Sequence, residues 1–414
     1  MLDYLSLASH FFDLRKEQRL DPESLLALQE RRLRDLIDWS RRSTHYASAF
    51  GSISSEEAAS DPRILPFTLK SQLQSTPKSF LCAGGGSTLK TSGTSGKPLS
   101  ISIGRADMAR RVALRHFIEA ESGLSPRDLY LEISFRPMLM SHLLCRLGVF
   151  RRRVVPMLDD PEKILSALRS SRPDAIGLYP SMLSILAKTN DRLGRPLSLK
   201  MAFSTAETLS PDCRELLGSS FSCPVFNQYG STELGYVAWE CPEEHRMHVS
   251  SSHLVEIVDK SGRPRRSGRG ELVVTPLLSR AMPLIRYRIG DMARWGRECP
   301  CGRGLRVLEG IDGRKEDMIT LPSGRQVPPH SLVRMHRLDS ILSYQIIQEE
   351  PGLFVFRHIP AVRGHLSERS KREIRSIIEE GCLGEAVKVE FVEADSMEKS
   401  RSGKCSVVIS KVGK

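Results

Sequence analysis

The apolar positions follow two rhythms that divide the chain. Between residues 22 and 50, Leu25, Leu28, Leu33, Leu36 and Ile37 recur every three or four positions among Arg and Glu. That is the spacing of a helix with one buried face, and it predicts a helical entry over 22–50 ended by the Gly/Ser punctuation at 51–55. After Gly84-Gly85-Gly86 and a Gly/Ser/Thr-rich stretch at 91–98, short apolar runs alternate with longer amphipathic ones. Runs at 129–133, 154–158, 175–178 and 201–204 read as strands. The stretches 105–121, 138–147, 161–170, 180–192 and 211–219 read as helices. Strand and helix taking turns predicts βαβ units on a parallel sheet.

Beyond Gly235 the texture changes to short β-type runs at 254–258, 270–275 and 284–287, separated by Gly, Pro and Arg. From about Gly313 a β-β-α-β order follows, at 344–347, 353–357, 367–380 and 387–392. The expected fold class is therefore α/β. A large N-terminal domain (1–312) would carry parallel sheets with flanking helices plus a small β-subdomain at about 236–312. A small α+β domain (313–414) would follow.

Composition narrows the function classes. With 40% hydrophobic and 27% charged residues the chain suits a globular protein, and no apolar run approaches the ~20 residues of a membrane span. Its start lacks the basic n-region and apolar core of a secretory signal, so a cytoplasmic location is expected. Nine scattered cysteines are an odd number and form no disulfide framework. The formal charge of +12 suits nucleic acid, a membrane surface or a polyanionic small molecule. The absence of an RRM, KH or helix-turn-helix signature argues against nucleic acid.

Four segments carry candidate chemistry. Thr91-Ser92-Gly93-Thr94-Ser95-Gly96-Lys97-Pro98 offers close backbone approach, hydroxyls and a cation to a polyphosphate. It departs from a Walker A loop, because Thr91 stands where the first Gly is needed and Pro98 where Ser or Thr would be. Gln228-Tyr229-Gly230-Ser231-Thr232-Glu233-Leu234-Gly235 follows the apolar Val225-Phe226, as at the carboxyl edge of a sheet. Thr232 could bond a phosphate oxygen there and Glu233 could ligate Mg²⁺. Arg286-Tyr287-Arg288-Ile289-Gly290-Asp291 places an acid where ribose hydroxyls are commonly held, and Gly313 to Asp317 follows. Ser402-Gly403-Lys404 lies near the C-terminus.

In order and spacing these segments resemble the adenylate-forming superfamily of acyl-CoA synthetases, and within it the phenylacetate–CoA ligase-like branch that includes CapK-type and coenzyme F390 synthetase-like proteins. The resemblance runs from the helical entry and Leu65-Pro66 through Tyr179-Pro180-Ser181, Ser204-Thr205-Ala206-Glu207 and 270–275 to Lys404. It implies a two-step, AMP-forming acid–thiol ligase using ATP, Mg²⁺ and CoA. Ser92, Gly93, Thr94, Ser95, Gly96 and Lys97 would hold the β- and γ-phosphates. Ala206, Glu207, Tyr229 and Gly230 would frame adenine, with Ser231 in the same nucleotide set. Thr232 would take the α-phosphate, Glu233 the Mg²⁺, and Asp291 the ribose, with Arg314 nearby. Lys404 would act in adenylation from a mobile C-terminal domain pivoting at 313–317. The acid, small and aromatic, would lie against Tyr179, Pro180, Ser181, Phe203 and Ser204, with residues of 135–140. Another acceptor remains an alternative: an amine, a carrier protein, or a deazaflavin hydroxyl. A homodimer is left open.

The cysteines add a metal. Cys299-Pro300-Cys301-Gly302, together with Cys241 and a histidine of its loop, makes a Cys₃His set suited to structural zinc. Branch members resemble this arrangement with His248 as the fourth ligand, and His245 is the alternative. Two departures stand out. Ile289 replaces a hydroxyl residue common before Gly290-Asp291, and Glu316 replaces an aspartate at the pivot. Arg263, Arg265, Arg266 and Arg269 form a basic loop that reads either as a solvated hairpin or as a docking surface for CoA or a carrier protein.

Overall fold

The computed structural model describes residues 3–83, 86–91, 98–134, 143–156, 160–333, 335, 338, 340–361, 366–398 and 406–412. The chain divides into two compact units, Met1–Gly123 with Gln228–Ile311, and Leu124–Asn227 with Asp312–Lys414.

In the first unit, helices Tyr4–Glu17, Pro22–Ser40, Thr44–Phe50 and Arg105–Glu121 accompany an antiparallel meander. The meander holds Gly235–Glu240, Met247–Val249, His253–Val258, Arg269–Pro276 and Tyr287–Trp295. Its core joins Leu33, Leu36, Ile37 and Tyr46 of the entry helices to Val237, Ile257, Val274 and Tyr287 of the strands, all buried. A separate hairpin pairs Ser87–Lys90 with Ser100–Ile103.

The helix expected over 22–50 is two helices. Ser43 caps the second, its hydroxyl accepting from the Tyr46 amide at 3.2 Å, a bond worth about 1 kcal/mol, and Arg41-Arg42 fill the turn. The sequence reading also passed over the Tyr4–Glu17 helix, capped by Asp3. The apolar run 284–287 forms a strand only from Tyr287 onward. Arg286 adopts φ 49°, and its guanidinium is bound by Glu256 at 2.9 Å and by the Leu65 carbonyl at 2.6 Å. That anchored left-handed turn keeps Leu284 and Ile285 out of the ladder, and they pack in the core instead.

The second unit is the βαβ region. Arg152–Pro156, Tyr130–Ser134, Ala175–Leu178 and Met201–Thr205 lie parallel in that order, with helices Pro161–Ser171, Pro180–Arg192 and Pro211–Phe221. One face buries Ile133, Ile176, Leu178 and Ala202 against Leu165, Leu186 and Leu217 of those helices. Of the helix expected at 138–147, Leu143–Arg146 is helical, and 138–142 lies outside the described residues. Among the described residues, the C-terminal sheet has four strands where three were expected, and a two-stranded ladder of Ile319–Thr320 with Gln326–Val327 precedes it. Lys388–Glu393, Leu353–Pro360, Ile341–Glu350 and Val408–Ser410 are packed with helix Glu368–Gly381 around Phe354, Phe356, Ile374 and Ile378. Among the described residues, no helix is long and apolar enough to cross a membrane.

Candidate functional site

The phosphate-loop candidates Ser92, Gly93, Thr94, Ser95, Gly96 and Lys97 lie outside the described residues, as do 135–140 and Lys404. The stem of that loop is described. Thr91 donates its amide to the Leu99 carbonyl at 2.9 Å, and its hydroxyl accepts from the Leu99 amide at 2.9 Å. Thr91 and Leu99 thus extend the ladder between Ser87–Lys90 and Ser100–Ile103 by one pair.

Val225–Ser231, of which Gln228 onward belongs to the first unit, ends at Thr232-Glu233 and returns as Gly235–Glu240. The turn is a hairpin at the carboxyl end of that strand, with its two arms antiparallel. Gly230 is required by close approach: a Cβ there would stand 2.2 Å from the Gly235 carbonyl oxygen. Tyr229 donates its phenol to Asp291 Oδ2 at 2.6 Å, bringing the predicted adenine and ribose residues into contact. Thr232 is exposed, Glu233 is buried, and Tyr287 donates to Glu233 Oε1 at 3.4 Å. Ile289 is buried in the hydrophobic core. A hydroxyl there would sit among apolar side chains, which accounts for the aliphatic residue.

In the second unit, Ala206 follows the Met201–Thr205 strand with φ 68°, a left-handed conformation that costs an L-residue about 1–2 kcal/mol. The turn it makes presents Glu207, whose carboxylate accepts from the Ser181 amide at 3.1 Å. Ser181 opens the Pro180–Arg192 helix, so the acid meets the positive end of the helix dipole. Tyr179 is held above the usual phenol range by burial first, and then by the Glu207 and Glu132 charges. Phe203 is fully buried, stacked on Tyr130 at 5.6 Å and tilted against Phe226 at 6.0 Å. Ser204 and Pro180 are buried, and Arg314 is half-buried at the end of Val307–Arg314. Arg263, Arg265 and Arg266 are exposed on the hairpin between His253–Val258 and Arg269–Pro276, and Arg269 is half-buried.

The metal candidates converge within the first unit. One donor atom each from Cys241, His248, Cys299 and Cys301 lies within 4.8 Å of the other three, and His248 Nε2 stands 3.3 Å from Cys301 Sγ. Ideal tetrahedral Zn–S bonds set donors about 3.8 Å apart, so the set fits a closed four-ligand ion of that kind. His245 is half-exposed beside Glu240, 3.7 Å away, and outside the cluster. Burial lowers His248 to about 4, with the Arg303 charge adding to it, and keeps the imidazole neutral as a metal ligand must be.

Arg303 is the residue the sequence reading missed. It donates to Gln18 Oε1 at 2.9 Å, Glu243 Oε1 at 3.0 Å and Glu121 Oε2 at 3.0 Å, and reaches Cys241 Sγ at 3.8 Å. Burial opposes its charge, but bonds to Cys301, Glu121 and Glu243 outweigh it and raise the guanidinium pKa. Thiolates gathered in a buried pocket need such a counter-charge. The only sequence signal was a basic residue two positions after Cys301.

The AMP-binding enzyme family matches residues 89–276. A phenylacetate-coenzyme A ligase of Thermus thermophilus is 28% identical over 81% of this chain and 80% of its own. That of Aromatoleum evansii is 25% identical over 96% and 97%. Among solved structures, a 2-hydroxyisobutyryl-CoA ligase in the postadenylation state superposes with TM-score 0.76 at 20% identity, covering 96% of this chain and 92% of that one. Residues 89–276 thus form an AMP-binding enzyme domain, and along most of its length the chain is similar to phenylacetate-coenzyme A ligases.

Proposed function

We propose that the chain is an ATP-dependent carboxylate–CoA ligase acting on a small aromatic acid. The acid's carboxylate oxygen attacks the α-phosphorus of ATP, and pyrophosphate leaves. The CoA thiol then attacks the acyl carbon, loses its proton, and releases AMP. The observation that carries the reading is the 2.6 Å bond from Tyr229 to Asp291 beside the Thr232–Glu233 turn, in a chain whose curated relatives are phenylacetate–CoA ligases.

In this reading Tyr229 meets the purine, and Asp291 accepts from the ribose hydroxyls. The exposed Thr232 hydroxyl donates to the α-phosphate. Two anions must meet in the first step, so donors fixed before the reaction lower its barrier most. Lys97 and Lys404 are the cations assigned to that charge. Magnesium, when bound with the triphosphate, offsets charge as pyrophosphate departs, and Glu233 is the residue that would hold it. Of the residues expected around the acid, Tyr179 and Ser181 are half-buried and can offer it surface, whereas Pro180, Phe203 and Ser204 are buried behind them. The Cys241, His248, Cys299 and Cys301 set holds a structural zinc. It leaves no coordination position for substrate, which makes its role architectural.

The test is a pyrophosphate-release screen over aromatic, heteroaromatic and aliphatic acids, with and without CoA. Acid-dependent pyrophosphate followed by a CoA thioester is the expected result. Adenylate without any thioester would overturn the acceptor and favour an amine or a carrier protein. No acid-dependent pyrophosphate at all would overturn the adenylation.

A further inference from the structure

The Thr232-Glu233-Leu234 turn is short, and its backbone is bound at every carbonyl. Arg111, from the middle of the Arg105–Glu121 helix, donates Nη1 to the Thr232 carbonyl at 2.8 Å and Nη2 to the Glu233 carbonyl at 2.5 Å. His253, the first residue of His253–Val258, bonds the Leu234 carbonyl through Nε2 at 3.2 Å. Three consecutive carbonyls are therefore held by side chains from two other elements. Inside the turn, the Ser231 hydroxyl accepts from the Leu234 amide at 3.2 Å.

Both donors are suited to the task. A guanidinium presents parallel N–H groups in a rigid fork, so one residue fixes the spacing of two carbonyls, which an ammonium cannot do. His253 is buried and held neutral, leaving Nε2–H as the donor to Leu234. Gly235 has φ 75°, the left-handed conformation that glycine adopts without strain, and so reverses the chain directly after the turn. The Arg111 stem packs against it: a Cβ there would stand at ordinary contact distance, 3.4 Å, from Arg111 Cγ. With the carbonyls engaged from behind, the Thr232 hydroxyl and the Glu233 carboxylate are directed by a backbone that cannot relax.

The geometry points to Arg111 and His253 as positioning residues of the adenylation step. They hold the turn so that Thr232 and Glu233 meet the α-phosphate and its magnesium in one fixed geometry. This rests on the roles proposed above for those two residues. Neither positioning residue touches substrate; each acts through the main chain. A misplacement of about 1 Å in a reacting geometry costs on the order of 10²-fold in rate.

The experiment compares the full-length wild type with Arg111→Lys, Arg111→Met, His253→Gln and His253→Leu. It reads pyrophosphate release, the KM values of acid and ATP, magnesium dependence, Mg·ATP binding by calorimetry, and thermal unfolding. Expected for Arg111→Met is a fall of about 100-fold in kcat and a magnesium requirement raised about tenfold, with the KM of the acid within twofold of wild type. Lysine should restore part of kcat, since it can serve one carbonyl. Gln at 253 should restore more than Leu, because its amide can donate where Nε2 did. A lowered melting temperature with kcat and magnesium dependence unchanged, in the Lys as well as the Met variant, would make Arg111 purely structural and overturn the inference. The calorimetric arm separates the two readings. A wild type that binds Mg·ATP but turns over no acid sinks the ligase assignment, while weaker magnesium-dependent binding in Arg111→Met still supports the positioning role and equal binding overturns it.

Discussion

Tyr229 and Asp291 stand sixty-two positions apart and share a 2.6 Å hydrogen bond, phenol to carboxylate. The bond fixes the rotamer of an acid on Tyr287–Trp295 from a tyrosine at the end of Val225–Ser231. Removing the hydroxyl frees that carboxylate to turn toward water. Tyr229→Phe should raise the KM for ATP about tenfold, since bonds to charged groups contribute ~1.5–3 kcal/mol, while the KM of the acid stays put. Steady-state kinetics with either substrate varied decides it; equal rises in both constants would point to a general loss of fold.

The metal set makes a sharper prediction. Cys301→Ser should reduce bound zinc from near one equivalent per chain to about one fifth or less, and lower the melting temperature by several degrees. Cys382→Ser, in a buried thiol of the C-terminal part, should leave the metal unchanged. Elemental analysis of both purified proteins is the measurement. Equal zinc in the two would remove Cys301 from the ligand set.

Much of this was legible in the sequence, and what was hidden has physical causes. Helices Arg105–Glu121 and Pro180–Arg192 match their expected limits to the residue, because Gly104 and Pro180 mark their starts and their apolar spacing is regular. The break at 41–43 carries no Gly or Pro, so periodicity ran through it. At 284–287 the apolar run suggested a strand, but the Glu256 and Leu65 anchors of Arg286 come from distant segments that no local pattern reports. The site divides the same way. The Cys-x-Cys pair and the Tyr229–Glu233 segment announce themselves by residue type. Arg111 does not: one arginine among several on a helix, it is singled out only by the carbonyls it meets 121 and 122 positions away.

Ala206 tests the strain at its turn. Its φ of 68° sets a Cβ against the following carbonyl, at about 1–2 kcal/mol. Glycine would remove that clash while losing about 0.5–1 kcal/mol through its more flexible unfolded chain. Ala206→Gly should thus be as stable as the parent or slightly more so. Ala206→Val, with a branched Cβ in the same conformation, should be less stable by about 1–2 kcal/mol. Because Ala206 is exposed, lost packing does not enter. Urea midpoints of the two variants that coincide would contradict the strain.

Stability should fall as acid is added, starting near neutrality. Burial lowers both His10 and His253 from 6.5 to about 4, and His10 faces Glu17, Arg32, Arg110 and His253 itself. Both pKa values are depressed in the folded state, so between about pH 6.5 and 4 the unfolded chain binds more protons. The stability these groups contribute is fully present above 6.5 and is lost toward 4, at up to ~1.4 kcal/mol per pH unit for each histidine. Glu17, also lowered, through its bonds to Arg32 and Ser251 against an opposing burial effect, adds loss in the same direction below the ordinary Glu range. His10→Gln should flatten the slope of urea midpoint against pH between 6.5 and 4.5. An unchanged slope would mean that His10 does not titrate with unfolding.

Lys188 tests how the second unit holds its C-terminal part. Its ammonium, on Pro180–Arg192, donates to the Leu338 carbonyl at 3.0 Å and the Ile341 carbonyl at 2.5 Å, at the start of Ile341–Glu350. One helical turn on, Arg192 donates to the Ala361 carbonyl at 2.6 Å, just past Leu353–Pro360. Two cations four residues apart lie on one face of a helix, so together they clamp one end of the antiparallel pair formed by those strands, the end where Ile341 faces Pro360. Lys188→Met keeps most of the aliphatic volume and removes both bonds, at about 1–3 kcal/mol for carbonyls left without a donor. Amide exchange should quicken by roughly 5- to 150-fold around 338–361, as that loss converts to a rate, and remain as in wild type in Gly235–Glu240. Exchange that rises equally in both regions would show a global loss of stability, and no rise at 338–361 would show that the lysine holds nothing there.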